Sequence, residues 1–249
     1  MNLDVLRELD KSILLAFNGG DNLFIDYFVL TVTNALTWIP LYASLLYLVI
    51  KNNENWQKII LVIGAVALGL LIVNGLNLGI VKPLVARPRP LNNSDLQGIV
   101  MAVNHYTASG YSFFSSHTAN AFVVAVFFCL LVRDRIFSIL MIAWSIMVSL
   151  TRPYLGVHYP SDVFVGMIFG SSVAVFIYFL YLRIYIRFSD KLHYISTKYT
   201  RTGYSFADID VVISVLILSF IYATFRADGC EFSHQFDAFL IVHCQRCLY

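Results

Sequence analysis

Apolar runs of near-spanning length, at residues 24–50, 59–81, 117–132, 136–151, 161–182 and 208–225, constrain this chain more than any other feature. A helix needs about 20 apolar residues to cross ~30 Å of hydrocarbon, and inside a bilayer the backbone must satisfy its own hydrogen bonds. The expected fold is therefore all-α: a polytopic transmembrane helical bundle of about six spans. Composition agrees, because only 13% of the residues are charged and 59% are hydrophobic, against about a quarter charged in an ordinary soluble domain. That excludes a soluble cytoplasmic enzyme. A net charge of +2 without a dense Lys/Arg tract excludes nucleic acid as a partner.

The charges sit at the ends of the runs. The hairpins around Lys51 and Lys58 and at Arg133–Arg135, with the segment Arg183–Arg201, fall on one side and hold nine of the 17 Lys and Arg. The positive-inside rule places this side in the cytoplasm and the loops 83–116 and 152–160 outside. The expected location is an integral membrane one, with these two loops on the periplasmic or extracellular side. Residues 1–23 lack the continuous apolar core of a signal peptide. Leu3, Leu6, Leu9 or Asp10, Ile13 and Phe17 recur at helical spacing, which predicts an amphipathic interfacial leader. Residues 187–207 read as a basic cytoplasmic loop. Residues 208–249 read as an extra span with a tail in which Cys230 could pair with Cys244 or Cys247 if that side is oxidising.

Two runs are short. Sixteen residues at 117–132 and at 136–151 rise roughly 24 Å each, which sets their outer ends at or just below the headgroups. Asn34, Asn74, Asn77 and Asn120, in or near apolar runs, are expected to form interhelical hydrogen bonds.

Three polar clusters lie on the outer side. Lys82-Pro-Leu-Val-Ala-Arg87-Pro-Arg89-Pro90 holds a point charge and a planar donor fork on a stiffened segment, suited to phosphate oxygens or to snorkelling at a helix end. Ser112-Phe113-Phe114-Ser115-Ser116-His117-Thr118 puts hydroxyls, free amides and an imidazole at a helix N-terminus, which favours an anion or is a plain serine cap. In the third, Thr151-Arg152-Pro-Tyr-Leu-Gly156-Val-His158-Tyr-Pro160-Ser-Asp162, Pro160 suits the first turn of a helix. Asp162 would then lie close enough to His158 to accept an imidazole N–H and leave the other nitrogen free to attack an electrophile. Tyr154 and Tyr159 read equally as interface-belt aromatics. His105, His193, His234 and His243 read as loop or interfacial residues. No histidine and cysteine spacing suits a structural metal.

In order, Lys82-x6-Arg89-Pro90, Ser115-Ser116-His117 and Thr151-Arg152-x5-His158-x3-Asp162 resemble the tripartite signature of the type 2 phosphatidic acid phosphatase (PAP2) superfamily, over residues 24–186. The family usually has Pro-Ser-Gly-His where this chain has Phe114-Ser115-Ser116-His117, and Ser-Arg where it has Thr151-Arg152. The resemblance implies that His158 is the nucleophile and Asp162 orients it. His117 would protonate the leaving oxygen and then activate water. Lys82, Arg89, Arg152, Ser115 and the Ser116 amide would hold the phosphoryl oxygens, with no metal or other cofactor. The expected activity is hydrolysis of a phosphate monoester or terminal diphosphate on a membrane lipid through a phosphohistidine. Undecaprenyl diphosphate or a lipid A phosphate leads phosphatidylglycerophosphate and phosphatidate, and no obligate protein partner is inferred. Rival readings are a vanadate-dependent peroxidase, a non-catalytic anionic-lipid binder or flippase, and a sugar phosphatase.

Overall fold

The computed structural model describes residues 3–20, 22–187 and 197–246, and the side chains of 5–20, 22–187 and 197–229. Its helices are α1 (Leu3–Phe17), α2 (Leu23–Thr33), α3 (Ile39–Lys51), α4 (Trp56–Leu76), α5 (Lys82–Val85), α6 (Ser116–Val132), α7 (Arg135–Tyr154), α8 (Pro160–Tyr185) and α9 (Phe206–Arg246). Among the described residues there is no strand, only an isolated bridge between Tyr199 and Ser205. The bundle is the expected all-α one. His193 and Cys247 lie outside the described residues, as do the side chains of Cys230, His234, His243 and Cys244.

By length and composition four helical runs can cross a membrane, or five if α2 and α3 form one span bent by 66°. The sixth expected span is α6, whose 17 residues fall short of that length. Large apolar side chains stay open on the outside of the bundle, such as Leu71 (69%), Phe179 (64%) and Phe225 (71%). A water-soluble protein does not carry so much contiguous exposed apolar surface, whereas lipid solvates it.

Residues 24–50 do not form the continuous helix expected of them. Asn34 ends α2 and caps the 3₁₀ turn Ala35–Trp38 by accepting from the Leu36 amide at 3.0 Å, so it is a cap and not an interhelical bridge. Pro40 starts α3, where its missing N–H costs nothing. Run 136–151 is longer than expected, because α7 continues through Arg152 and Pro153 to Tyr154, 20 residues or about 30 Å. Asn74 and Asn120 do bond reciprocally between α4 and α6, at 3.2 and 3.3 Å.

Helix α6 is the centre of the bundle, packed by α4, α7 and α8, and it is apolar on all sides as a buried helix must be. Its tightest neighbour is α8. A Cβ on Gly170 would stand 2.3 Å from the Ala119 carbonyl oxygen, and one on Gly166 2.9 Å from that of Ser115. Two glycines four apart face Ser115 and Ala119, also four apart, so the two backbones touch. That contact carries the start of α6 against the start of α8, where the Ser115 amide donates to the Asp162 carbonyl at 3.1 Å.

The two ends of the bundle are polar in different ways. At one end Asp208 accepts from Tyr47 (3.0 Å) and Asn52 (3.1 Å), and Thr202 donates to the Val132 carbonyl at 2.9 Å. The other end gathers the three polar clusters.

Candidate active site

The first cluster reaches the site through a change of helical pitch. Pro83 has no N–H for the Gly79 carbonyl, and its ring would strike that carbonyl in a regular α-turn. The chain widens into a π turn at Asn77–Val81 just before it. The turn faces buried Asn77 towards the second cluster, where its amide donates to the Phe114 carbonyl (2.9 Å) and to Ser116 Oγ (2.7 Å). Ser116 therefore turns its side chain to Asn77. Lys82 follows, buried and within electrostatic reach of Arg89, Asp162 and Arg152.

Arg89 is held as a rigid fork. Its Nε donates to the carbonyls of Ser109 and Gly110, both at 3.1 Å, and Nη2 to Ser109 at 2.9 Å. Nη1 donates to the Val157 carbonyl at 3.0 Å and lies 3.2 Å from His158 Nε2. A guanidinium has no lone pair to offer, so Nε2 must present its own, and the imidazole proton sits on Nδ1. Nδ1 is 3.7 Å from Asp162 Oδ2, too far for the direct hydrogen bond expected from the sequence. Ser112 fills the gap. Its Oγ is 3.4 Å from Nδ1 and donates to Asp162 Oδ2, so the carboxylate orients the ring through a hydroxyl as well as by charge.

Asp162 is fully buried and saturated: Oδ2 also takes the Tyr159 amide at 3.0 Å, and Oδ1 takes Arg87 Nη1 at 2.7 Å. His158 is 2% exposed. Burial pushes its pKa down to about 3, Asp162 opposing and Arg152 and Arg89 assisting, so the ring is neutral at physiological pH.

Arg152, at the end of α7, donates from Nη1 to Thr33 Oγ1 (2.6 Å) and to Tyr106 OH (3.3 Å). Thr33 is available because Asn34 stops α2 there. Arg152 Nε has no hydrogen-bond partner among the described residues. Ser115 caps α6 and accepts from the Thr118 amide (3.4 Å) and Thr118 Oγ1 (3.1 Å), which leaves its own proton for another acceptor. His117 is exposed in the first turn of α6, within electrostatic reach of Arg152, Arg89 and Lys82. All eight candidate residues thus share one end of the bundle around His158. The described residues hold no cluster of His, Cys, Asp and Glu able to bind a metal ion.

Several participants went unrecognised in the sequence. Arg87 stands in the first cluster and Ser112 opens the second, yet neither spacing marks them. Asp10 is legible in hindsight as a carboxylate on the apolar stripe of α1. Tyr154 and Tyr159 are not belt aromatics: Tyr154 OH donates to Asp26 at 2.6 Å, and the Tyr159 ring lies 3.7 Å under the Arg87 guanidinium. His105 stays apart, exposed in the turn Val103–His105.

Residues 41–186 match the PAP2 superfamily. The chain is 36% identical over 179 residues to a lipid A 4'-phosphatase of Bacteroides thetaiotaomicron, covering 72% of this chain and 79% of that one. It is 28% identical over 182 residues to a lipid A 4'-phosphatase of Porphyromonas gingivalis, covering 72% and 76%. Its fold matches the crystal structure of a transmembrane PAP2 type phosphatidylglycerolphosphate phosphatase from Bacillus subtilis with a TM-score of 0.53 at 20% identity, covering 72% of this chain and 88% of that one. With a family match over more than half its length, lying across all three clusters, the chain belongs to the PAP2 superfamily and is an integral-membrane phosphatase.

Proposed function

We propose that the protein removes a phosphate monoester from lipid A, by way of a phosphohistidine on His158. The observation that carries the substrate is that both curated relatives, matched over about three quarters of their length, are lipid A 4'-phosphatases. The chemistry rests on the site. Arg89 Nη1 turns from His158 Nε2 to a phosphoryl oxygen, and the lone pair so freed attacks phosphorus while the bond to the lipid oxygen breaks and His117 gives that oxygen a proton. His117 then takes a proton from water as the water attacks the phosphohistidine, and inorganic phosphate leaves. Lys82, Arg89, Arg152, Ser115 and the α6 amides neutralise the phosphoryl oxygens, where charge builds in the transition state. Asp162, with Ser112, stabilises the imidazolium that forms. The positive-inside bias favours a periplasmic or extracellular site.

The test is a panel of bisphosphorylated lipid A, undecaprenyl diphosphate, phosphatidylglycerophosphate, phosphatidate and a water-soluble sugar phosphate, assayed for phosphate release by the purified protein in detergent. Lipid A is expected to turn over fastest, with loss of one phosphate by mass spectrometry and no change on adding EDTA. A preference for the sugar phosphate would make this a soluble-ester phosphatase, and no release from any of them would favour a binder or flippase.

Arg152→Lys should lower kcat/KM for lipid A about a hundredfold. The substitution keeps the charge but loses the planar fork that holds Thr33 and keeps Nε for phosphate, and one such donor is worth about 10²–10³ in rate. Thermal unfolding separates this from a folding defect, since Lys at this site keeps the cation.

A further inference from the structure

Helix α1, expected from the sequence to lie in the interface, is tied by specific contacts to the site. Asp10 and Leu14 on its inner face, and Asn18 just past its end, are four residues apart and buried in one line. Asn18 donates to the Tyr154 carbonyl (2.9 Å) and pairs with the backbone of Met101 in both directions, at 3.1 and 2.7 Å. Eight residues earlier, or about 12 Å along the helix, Asp10 takes the Ser161 amide at 2.8 Å and its hydroxyl at 2.5 Å. Tyr154 and Ser161 flank the loop that carries His158. Leu14, between the two anchors, packs on Tyr159 within that loop, along with Leu96 and Val100. Helix α1 therefore spans the loop like a strap.

The loop is shaped to receive it. Gly156 has φ +67°, and a Cβ there would stand 3.0 Å from Asn18 Nδ2 and 2.6 Å from Val100 Cγ1. A cavity of about 1100 Å³ opens beside Asp10, lined by Leu6, Leu9 and Ile13 of α1 and by Arg87, Phe113 and Phe164. Asp10 supplies a charged contact that reaches the start of α8.

That contact leads to the nucleophile. Arg87 Nη2 donates to Asp10 at 2.6 Å while its Nη1 donates to Asp162 at 2.7 Å and to Ser161 at 2.8 Å. One guanidinium thus links a carboxylate on α1 with the carboxylate that orients His158, and the Tyr159 ring beneath it keeps the fork in one plane. We propose that Asp10 and Arg87 are positioning residues that fix Asp162 from behind, so that helix α1 is a working part of the phosphatase and not only a membrane anchor. The proposal rests on His158 being the nucleophile.

Asp10→Asn keeps the volume but turns an acceptor on Arg87 into an amide. It should lower kcat for a lipid phosphate about tenfold with KM within about twofold, and slow phosphohistidine formation by the same factor, at an unchanged elution profile. Arg87→Lys, which loses the planar fork whose two nitrogens each meet one carboxylate, should lose about as much, and Asp10→Asn should then cost nothing further in the double variant. Asp95→Asn, which removes the charge paired with Lys11 at 3.8 Å and keeps an oxygen for Ser94 Oγ, is the control and should match wild type. Full kcat in folded Asp10→Asn, or additive losses in the double variant, would overturn the proposal. If Asp10→Asn does not fold, Ser161→Ala decides: a loss of about threefold in kcat supports the strap and wild-type kcat overturns it. His158→Ala run alongside separates the two readings, because turnover there would defeat the nucleophile assignment itself.

Discussion

His158→Ala is expected to lose at least about 10⁴ in turnover on lipid A and to yield no acid-labile phosphoenzyme. Removing a covalent nucleophile costs on the order of 10⁴–10⁶ where the rest of the site stays intact. Arg89 and Arg152 only donate and Asp162 has both oxygens engaged, so none of these three can replace the lone pair on Nε2. The partner experiment uses His117→Ala with a nitrophenyl phosphate, whose leaving oxygen needs no proton. There the first step should survive and the second should stall, so the phosphohistidine accumulates. Wild-type turnover of this substrate by His117→Ala, with no phosphohistidine accumulating, would remove His117 from the second step.

The same substitution carries a signature in stability. His158 is held neutral, with its folded pKa far below the ordinary histidine value of 6.5. The unfolded chain therefore binds the extra proton first, and this group's contribution is complete above about pH 6.5 and is lost as pH falls towards 3. Melting temperatures measured between pH 7 and pH 4 should fall less steeply in His158→Ala than in wild type. An equal or steeper fall would contradict the burial of a neutral ring.

Gly170→Val is expected to have the largest effect on folding. The Ala119 backbone stands where the first added carbon would go, at 2.3 Å from its oxygen and 2.8 Å from its Cα. Neither helix can yield by rotating a side chain, so α6 and α8 must separate, at a cost of about 3 kcal/mol or more. Separation also breaks the Ser115–Asp162 bond that joins the second cluster to the third. Little monodisperse protein should be recovered in detergent, and what is recovered should be inactive. Gly64→Ala is the matched control, with nothing within 4 Å of the added carbon. It should leave elution and activity unchanged and leave stability unchanged or raise it by up to about 1 kcal/mol. A Gly170→Val protein that folds and turns over normally would show that the close approach of these helices is dispensable.

The chain's own order of residues determined the helical membrane class, the three polar clusters and the chemistry open to them, because each is local. A spanning run is contiguous, and the spacing from His158 to Asp162 lies within a single turn and its flank. What only the tertiary structure decided is non-local or depends on geometry finer than spacing. Asn34 and Pro40 both lie within an apolar run, and only the folded chain shows the break they make and that it frees Thr33 for Arg152. The direct bond drawn between His158 and Asp162 became a link through Ser112, 46 residues earlier, since a hydroxyl 3.4 Å from a ring nitrogen is a matter of backbone path and not of pattern. Asp10 is the clearest case. On the helix by itself it is one carboxylate on an apolar stripe, and its partner Arg87 is 77 residues away. Burial of charge is tolerated only where an opposite charge meets it, and that meeting exists only once the bundle has closed.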